Sequence, residues 1–334
     1  MVMIYRLVHW VLSGLGVGLN FFLMVLALLK TPRRLELVKV GIVFETATNI
    51  MTSLMNAFVM PRILTDGANI ILLPTGLCNH LRPFVCYAGY MFLTCLQEFQ
   101  LIWLISSYVF RWLILHPETN INPDTKIVCL TAFALAILSF FHTATWISFF
   151  NEKENIITSV SLGMEESSDV ILMGPHVRYS TLTVFILLAN TAVFALLSIV
   201  WIRKAINKFS QSMGGFSREA KRLNETLLKV YTFQACLPVV TLLGVLIFAL
   251  QYFELVQQDY LGLIISPILI LSSILSPFVY IINISEYWNV FKMRNGRRQR
   301  SDRIVLEETV VVSTPRGRSR QRIVTCGTDQ DVVV

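Results

Sequence analysis

The chain alternates long apolar stretches with short polar, mostly basic ones. Seven stretches reach the length of about 20 residues that a helix needs to cross hydrocarbon. They cover approximately 7–30, 37–60, 84–114, 127–150, 179–202, 229–251 and 260–284. Helices are predicted because a backbone polar group in lipid must find its partner within its own segment. A barrel would instead show short alternating segments. The run Ile70–Leu73 is too short to span, so 61–83 reads as a structured loop. The first stretch is too long for a signal-peptide core and no small-residue cleavage site follows it, so it reads as the first span. The pattern predicts an all-α membrane protein. A seven-transmembrane helix bundle fills 1–291, and a basic, disordered tail fills 292–334.

Composition narrows the classes. Of 334 residues, 54% are hydrophobic and 15% charged, with a mean hydropathy of +0.62. Soluble domains carry about 25% charged residues. A plain soluble enzyme and a disordered chain are therefore excluded. The net charge of +7 does not point to nucleic acid, because the basic residues lie between the apolar stretches and in the tail. That distribution is the signature of membrane topology. Lys30, Arg33, Arg34, Lys39, Arg111, Lys126, Arg203, Lys204, Lys208, Arg218, Lys221, Arg222, Lys229 and the tail fall on one side. Arg6, Arg62, Arg82, Lys153 and Arg178 fall on the other. The richer side is expected to be cytoplasmic, which puts the N-terminus outside.

Of six cysteines, only Cys78 and Cys86 fall at the expected outer, oxidising face. A bridge between them would pin 61–83 to the head of the third span; the alternative is two free thiols. The second outer loop, 151–178, has no Cys. Cys326 lies in the tail, where lipidation has no supporting motif. No Cys/His spacing fits a metal, and no phosphate loop, H-E-x-x-H or G-x-S-x-G occurs, so no enzyme activity or cofactor is expected. No Asp lies within a span, no paired broken helices suggest a transporter, and no filter-like loop suggests a pore. A helix bundle with a basic cytoplasmic surface suits signalling by helix movement.

Several motifs occur in a specific order. Lys30-Thr-Pro-Arg-Arg follows the first span, and Met60-Pro-Arg-Ile-Leu-Thr-Asp-Gly follows the second. Gly76-Leu-Cys78 leads to Pro83-Phe-Val-Cys86-Tyr. Tyr108-Val-Phe-Arg111-Trp-Leu-Ile-Leu-His116-Pro closes the third. Tyr231-Thr-Phe-Gln234-Ala-Cys236-Leu-Pro238 opens the sixth, and Leu275-Ser-Pro277 with Tyr280 ends the seventh. The ordered set, over residues 8–291, resembles the nematode serpentine receptors, most closely class delta. The resemblance implies a GPCR-like chemosensory receptor in the plasma membrane of sensory cells. Its partners would be a small-molecule ligand and a heterotrimeric G protein. The rivals are an inverted seven-helix ligand-gated ion channel and a membrane transporter.

Candidate working residues follow. Arg111 sits where the third span meets the cytoplasm. Phe110 replaces the acid that precedes such an Arg in rhodopsin-like receptors, so Arg111 is either a switch residue or an Arg that snorkels at a helix end. Ser276-Pro277 with Tyr280 is similar to the Asn-Pro-x-x-Tyr pattern, and Pro277, like Pro238 and Pro267, marks a hinge or a static bend. Glu45 and Glu98 lie deepest. A charge there costs at least about 2.5–3.5 kcal/mol on insertion scales, so each is expected to face inward. Glu45 reads as interhelical glue. Glu98, about 20 Å above Arg111 at 1.5 Å per residue, reads as ligand contact, a protonation-linked switch or glue, with Gln97, Gln100 and His142 as candidate partners. Tyr87, Tyr90 and Met91 line either a small-molecule pocket or, for the tyrosines, the interfacial aromatic belt. Arg218, Lys221, Arg222 and Lys229 share one stripe of a sixth helix extended from Ser217, which suits a G protein, anionic lipid or plain solvent. Ile284, Trp288 and Phe291 suit a short helix along the inner leaflet, with basic residues after it for anionic lipid.

Overall fold

The computed structural model describes residues 2–31, 36–66, 69–115, 125–150, 156–157, 171–212, 233–234, 236–256, 261–284 and 287. The described part lies in one compact unit, Met1–Trp288. The stripe Arg218, Lys221, Arg222 and Lys229, the residues Trp288 and Phe291, and the tail all lie outside the described residues.

Among the described residues the long helices are α1 (Val2–Lys30), α2 (Glu36–Val59), α3 (Pro83–Leu115), α4 (Thr125–Ser148), α5 (Pro175–Ser212), α6 (Cys236–Tyr252) and α7 (Leu261–Asn283). Four stretches among the described residues are long and apolar enough to cross a membrane: Met3–Lys30, Pro83–Ser107, Pro175–Trp201 and Leu261–Asn283. Shorter apolar helical stretches are Phe133–Ser148 and Leu237–Tyr252. The sequence pattern predicted seven spans. For α2 the gap has a physical reason. Thr46, Asn49, Thr52, Ser53 and Asn56 are each at most 2% exposed and recur at helical spacing. A polar stripe therefore faces the bundle and lowers the helix's mean hydropathy, while apolar Met51 and Leu54 face outward.

Local signals set several helix ends. α5 begins at Pro175, before the predicted 179, because proline is preorganised for a first helical turn and has no N–H to leave unpaired. Close contact between α1 and α2 relies on Gly16, where a Cβ would collide with the Ser53 side chain.

The segment 61–83, read from sequence as a loop, is instead an antiparallel hairpin of β1 (Pro61–Asp66) and β2 (Asn69–Pro74), followed by a 3-10 turn at Leu77–His80. Strands β3 (Ile156–Ile157) and β4 (Ile171–Met173) extend it to a four-stranded sheet in the order β1-β2-β4-β3. The absence of alternation explains the misreading. Ile70–Leu73 is buried on both faces, and a short continuous apolar run is what a strand covered on both sides looks like. Met60, with φ 43, turns the chain from α2 into β1. Its carbonyl accepts bonds from the Thr75 N–H and hydroxyl, at 3.2 and 3.1 Å. The hairpin is tied to the bundle by Tyr5 OH donating to Pro61 O (2.9 Å) and by Thr65 Oγ1 donating to Gln251 O (3.1 Å). Gly262 of α7 lies so close to β1 that a Cβ would collide with the Ile63 carbonyl. Cys78 and Cys86 form a disulfide, Cα–Cα 5.2 Å, that ties the 3-10 turn to the first turn of α3.

Candidate functional site

Polar side chains buried among apolar helices must find each other, since each unpaired group costs about 1–3 kcal/mol. Here they form a column of three hydrogen-bonded clusters, one after another, chiefly between α1, α2, α3 and α7. Near the sheet, Asn56 Nδ2 donates to His9 Nδ1 (2.8 Å) and Ser13 Oγ (3.0 Å), and its Oδ1 accepts from Ser266 Oγ (3.2 Å). Further along, Asn20 Nδ2 donates to the carbonyls of Gly16 (2.8 Å) and Ser273 (2.9 Å). Its Oδ1 accepts from Asn49 Nδ2 (3.0 Å). Gln100 Nε2 donates to Asn49 Oδ1 (2.8 Å), Thr52 Oγ1 (2.9 Å) and Ser273 Oγ (3.2 Å). Four helices thus meet around Asn49.

The column ends at Glu45. Its carboxylate accepts from Ser276 Oγ, from Tyr280 OH (2.7 Å) and from Gln234 Nε2 (3.2 and 3.3 Å). Ser276 and Tyr280 stand one helical turn apart on α7, so both reach the same acid. Pro277 between them is buried, and its missing N–H loosens the ladder there. Gln234, fully buried, stands just before α6. One carboxylate therefore joins α2, α7 and the approach to α6. Beside it a cavity of about 30 Å³ is lined by Glu45, Asn49, Gln97, Gln100, Thr241, Ser272, Ser276 and four leucines.

A second cavity, about 10 Å³, lies between α3, α4 and α5 and is lined by Met91, Thr94, Cys95, Glu98, His142, Thr143, Val184, Leu187 and Leu188. Glu98 Oε2 stands 3.7 Å from His142 Nδ1. Trp146 Nε1 donates to His142 Nε2 (3.2 Å), and the Trp146 carbonyl accepts from His176 Nε2 (2.9 Å). Tyr87 stacks on Phe150 at 4.2 Å and lies 5.8 Å from the His176 ring.

The candidates from sequence separate into distinct groups. Met91 and Glu98 line the second cavity. Tyr87 and Tyr90 do not, but at 0% and 2% exposure they are buried in the apolar cluster beneath the sheet rather than spread on a lipid-facing belt. Of the expected partners of Glu98, His142 is beside it, Gln100 is bound to Asn49 instead, and Gln97 lines the first cavity. Pro238 is buried near the start of α6. Arg111 lies in α3, its side chain outside the described residues. Sequence reasoning missed Gln234 as a partner of Glu45, and the Asn20–Asn49–Gln100 core. The signal was there: three amides inside apolar spans, each needing a partner.

Long apolar helices packed around buried polar groups are the build of a multi-pass membrane protein. The profile of the family described as "Serpentine type 7TM GPCR chemoreceptor Srd" matches residues 5–293. The chain is 42% identical over 288 residues to Serpentine receptor class delta-28 of Caenorhabditis elegans, covering 86% of this chain and 89% of that one. It is 40% identical to Serpentine receptor class delta-26 (86% and 90% covered) and 39% identical to Serpentine receptor class delta-30 (86% and 88% covered), both from the same organism. The chain belongs to the class delta family of nematode serpentine chemoreceptors, a family of receptors rather than enzymes.

Proposed function

We propose that the protein is a G-protein-coupled chemosensory receptor of the sensory-cell plasma membrane. The chain crosses the bilayer seven times, over about 7–30, 37–60, 84–114, 127–150, 179–202, 229–251 and 260–284, with the N-terminus outside. The basic tail from 292 lies in the cytoplasm against an anionic inner leaflet, which attracts such segments. The distribution of Lys and Arg supports this orientation, and membership of a chemoreceptor family favours it over an inverted channel or a transporter.

The observation that carries the signalling reading is the joint at Glu45. A small chemical bound in the outer half of the bundle, beside Tyr87, Tyr90, Met91 and Glu98, shifts the helices only if it binds the shifted arrangement more tightly. The joint holds Gln234 to α2 and α7 in one arrangement and releases it in the other. Release frees the inner end of the sixth helix, which exposes Arg111 and the stripe Arg218, Lys221 and Arg222 to a G protein. Pro238 and Pro277 supply the bends, and Tyr280 reports on the joint.

Two measurements test this. An N-terminal epitope tag should stain intact cells, and a C-terminal tag should stain only after permeabilisation; the reverse pattern rejects the topology. Receptor in lipid nanodiscs should accelerate nucleotide exchange on a heterotrimeric G protein when a panel of volatile and lipophilic chemicals is applied. Silence across G-protein subtypes rejects the coupling.

A further inference from the structure

The second cavity raises the question of how anything reaches it. From the end closed by the sheet, the way is blocked. Ile63, Ile70, Leu72 and Leu172 of the sheet are at most 2% exposed and pack in one apolar cluster with Tyr87, Tyr90, Met91 and Val177. The disulfide, the Tyr5 and Thr65 hydrogen bonds and the Gly262 contact all hold that cap in place. The side is different. α4 packs on α3 and α2, and α5 packs on α3 and α6, whereas α4 and α5 make only sparse contact with each other. They meet at their ends through Trp146 and His176. Next to that contact, the His142 side chain is 32% exposed and Glu98 13%. The surrounding surface is hydrocarbon-facing: Phe140, Phe141, Ile186 and Val193 are all exposed.

The polar pair at the mouth is incomplete. At 3.7 Å, His142 Nδ1 and Glu98 Oε2 are beyond hydrogen-bond distance. No described residue donates a hydrogen bond to Glu98. His142 Nε2 already accepts from Trp146, so the neutral ring carries its proton on Nδ1, directed at the gap. A group that accepts from Nδ1–H and donates to the carboxylate would satisfy both. A hydroxyl, whether of water or of an alcohol, does both; a carbonyl or ether only accepts. The volume of about 10 Å³ admits one group of that size. Val184 and Leu188 of its lining are buried, so the rest of the ligand must extend past Leu187, which is partly exposed, toward the bilayer.

We infer that this site takes a lipophilic alcohol, which enters from the bilayer between α4 and α5 and seats its hydroxyl between His142 and Glu98. The inference rests on the receptor reading above and adds the chemical class of ligand and its route.

Photolabelling tests it without any G protein, so its failure and a failure of coupling are distinguishable. The full-length receptor in phospholipid nanodiscs is irradiated with 3-azioctanol, and adducts are located by mass spectrometry. Saturable adducts are expected at Glu98, Cys95 or His142. 1-Octanol should displace them at a membrane mole fraction about tenfold below that needed for octane, the advantage that two modest hydrogen bonds confer. Leu187→Trp, which fills the side of the cavity that Leu187 lines, should remove these adducts while the Cys78–Cys86 bond and monodisperse elution are retained. Adducts confined to outward side chains such as Phe140 and Ile186 would overturn the site. Equal displacement by octane would overturn the role of the hydroxyl. The wild-type competition stands alone if Leu187→Trp does not fold.

Discussion

Tyr280 and Glu45 lie 235 residues apart in the chain, and the Tyr280 hydroxyl donates to Glu45 Oε2 at 2.7 Å. The bond joins the interior of α2 to the last turn of α7 through an acid that has no described cationic partner. Its stability therefore comes from neutral donors, three of which converge: Ser276, Tyr280 and Gln234. An acid held by hydroxyls and an amide can change partners by rotating side chains, without pulling an ion pair apart in low dielectric. That makes the joint suited to a reversible rearrangement.

Removing the hydroxyl should show how much it contributes. Tyr280→Phe keeps the ring, which is buried, and deletes one donor. The expected loss is about 1–3 kcal/mol, the range for a hydrogen bond to a group left partly unsatisfied. Glu45→Gln should cost a similar amount, and the double variant should cost less than the sum because the two share one interaction. Thermal unfolding in nanodiscs measures all three. Additive losses would mean that the two side chains do not act together.

The cap on the bundle depends on a residue with no side chain. A Cβ at Gly262 would collide with the Ile63 carbonyl and crowd Leu64, whereas Gly14 has open space around its Cβ position. Gly262→Ala should therefore push β1 off α7 and destabilise the fold by about 1–3 kcal/mol, the usual cost of overpacking. Gly14→Ala should be neutral or stabilising by up to about 1 kcal/mol, from helix propensity alone. Surface expression and melting temperature of the two variants make the comparison. Equal behaviour would show that the hairpin is free to shift.

Much of this architecture is legible in the sequence because hydrocarbon imposes one rule. Apolar runs of sufficient length must be helical, and the runs 84–114 and 260–284 lie within a residue of the helices α3 and α7, whereas α1 begins at Val2, five residues before the run that starts at 7. Glu45 and Glu98 were legible as inward-facing for the same reason: an acid facing lipid is too costly. Ser276, Pro277 and Tyr280 were legible as a group. Their partner was not, because no periodicity links α7 to an acid on α2 or to Gln234 ahead of α6. Tyr87 and Tyr90 show a second limit. Lipid and bundle interior are both apolar, so composition does not say which face a tyrosine takes. The sheet shows a third: β2 pairs with β4 across some hundred intervening residues, and β3 and β4 are too short to carry a pattern.

The disulfide closes a short loop, with a sequence separation of eight. Loop-entropy reasoning gives a contribution of about 2–3 kcal/mol for a ring of that size. Cys78→Ser with Cys86→Ser should lower the melting temperature accordingly, and reducing agent should do the same to the wild type but not to the variant. The double variant should fold, because the hairpin is also held by Tyr5 and Thr65. A reductant effect that persists in the double variant would place the sensitive thiols elsewhere.

Asn49 is the residue whose loss should be felt most widely. It donates to Asn20 and accepts from Gln100, and it lines the first cavity beside Glu45. Asn49→Leu fills the space with hydrocarbon but strands Asn20 Oδ1 and removes one of the acceptors of Gln100. Gln100 keeps Thr52 and Ser273, so only the Asn20 oxygen is left without its donor. The expected cost is about 1–3 kcal/mol for that one buried group. Pairing the change with Asn20→Leu removes the stranded oxygen and should recover part of the loss, since replacing both partners by apolar groups is far less costly than removing one. Asn20 also donates to the Ser273 carbonyl, so recovery should be incomplete. Thermal unfolding of the two single variants and the double variant reads this directly. If the double variant is as unstable as the sum of the singles, the Asn20–Asn49 bond does not join α1 to α2.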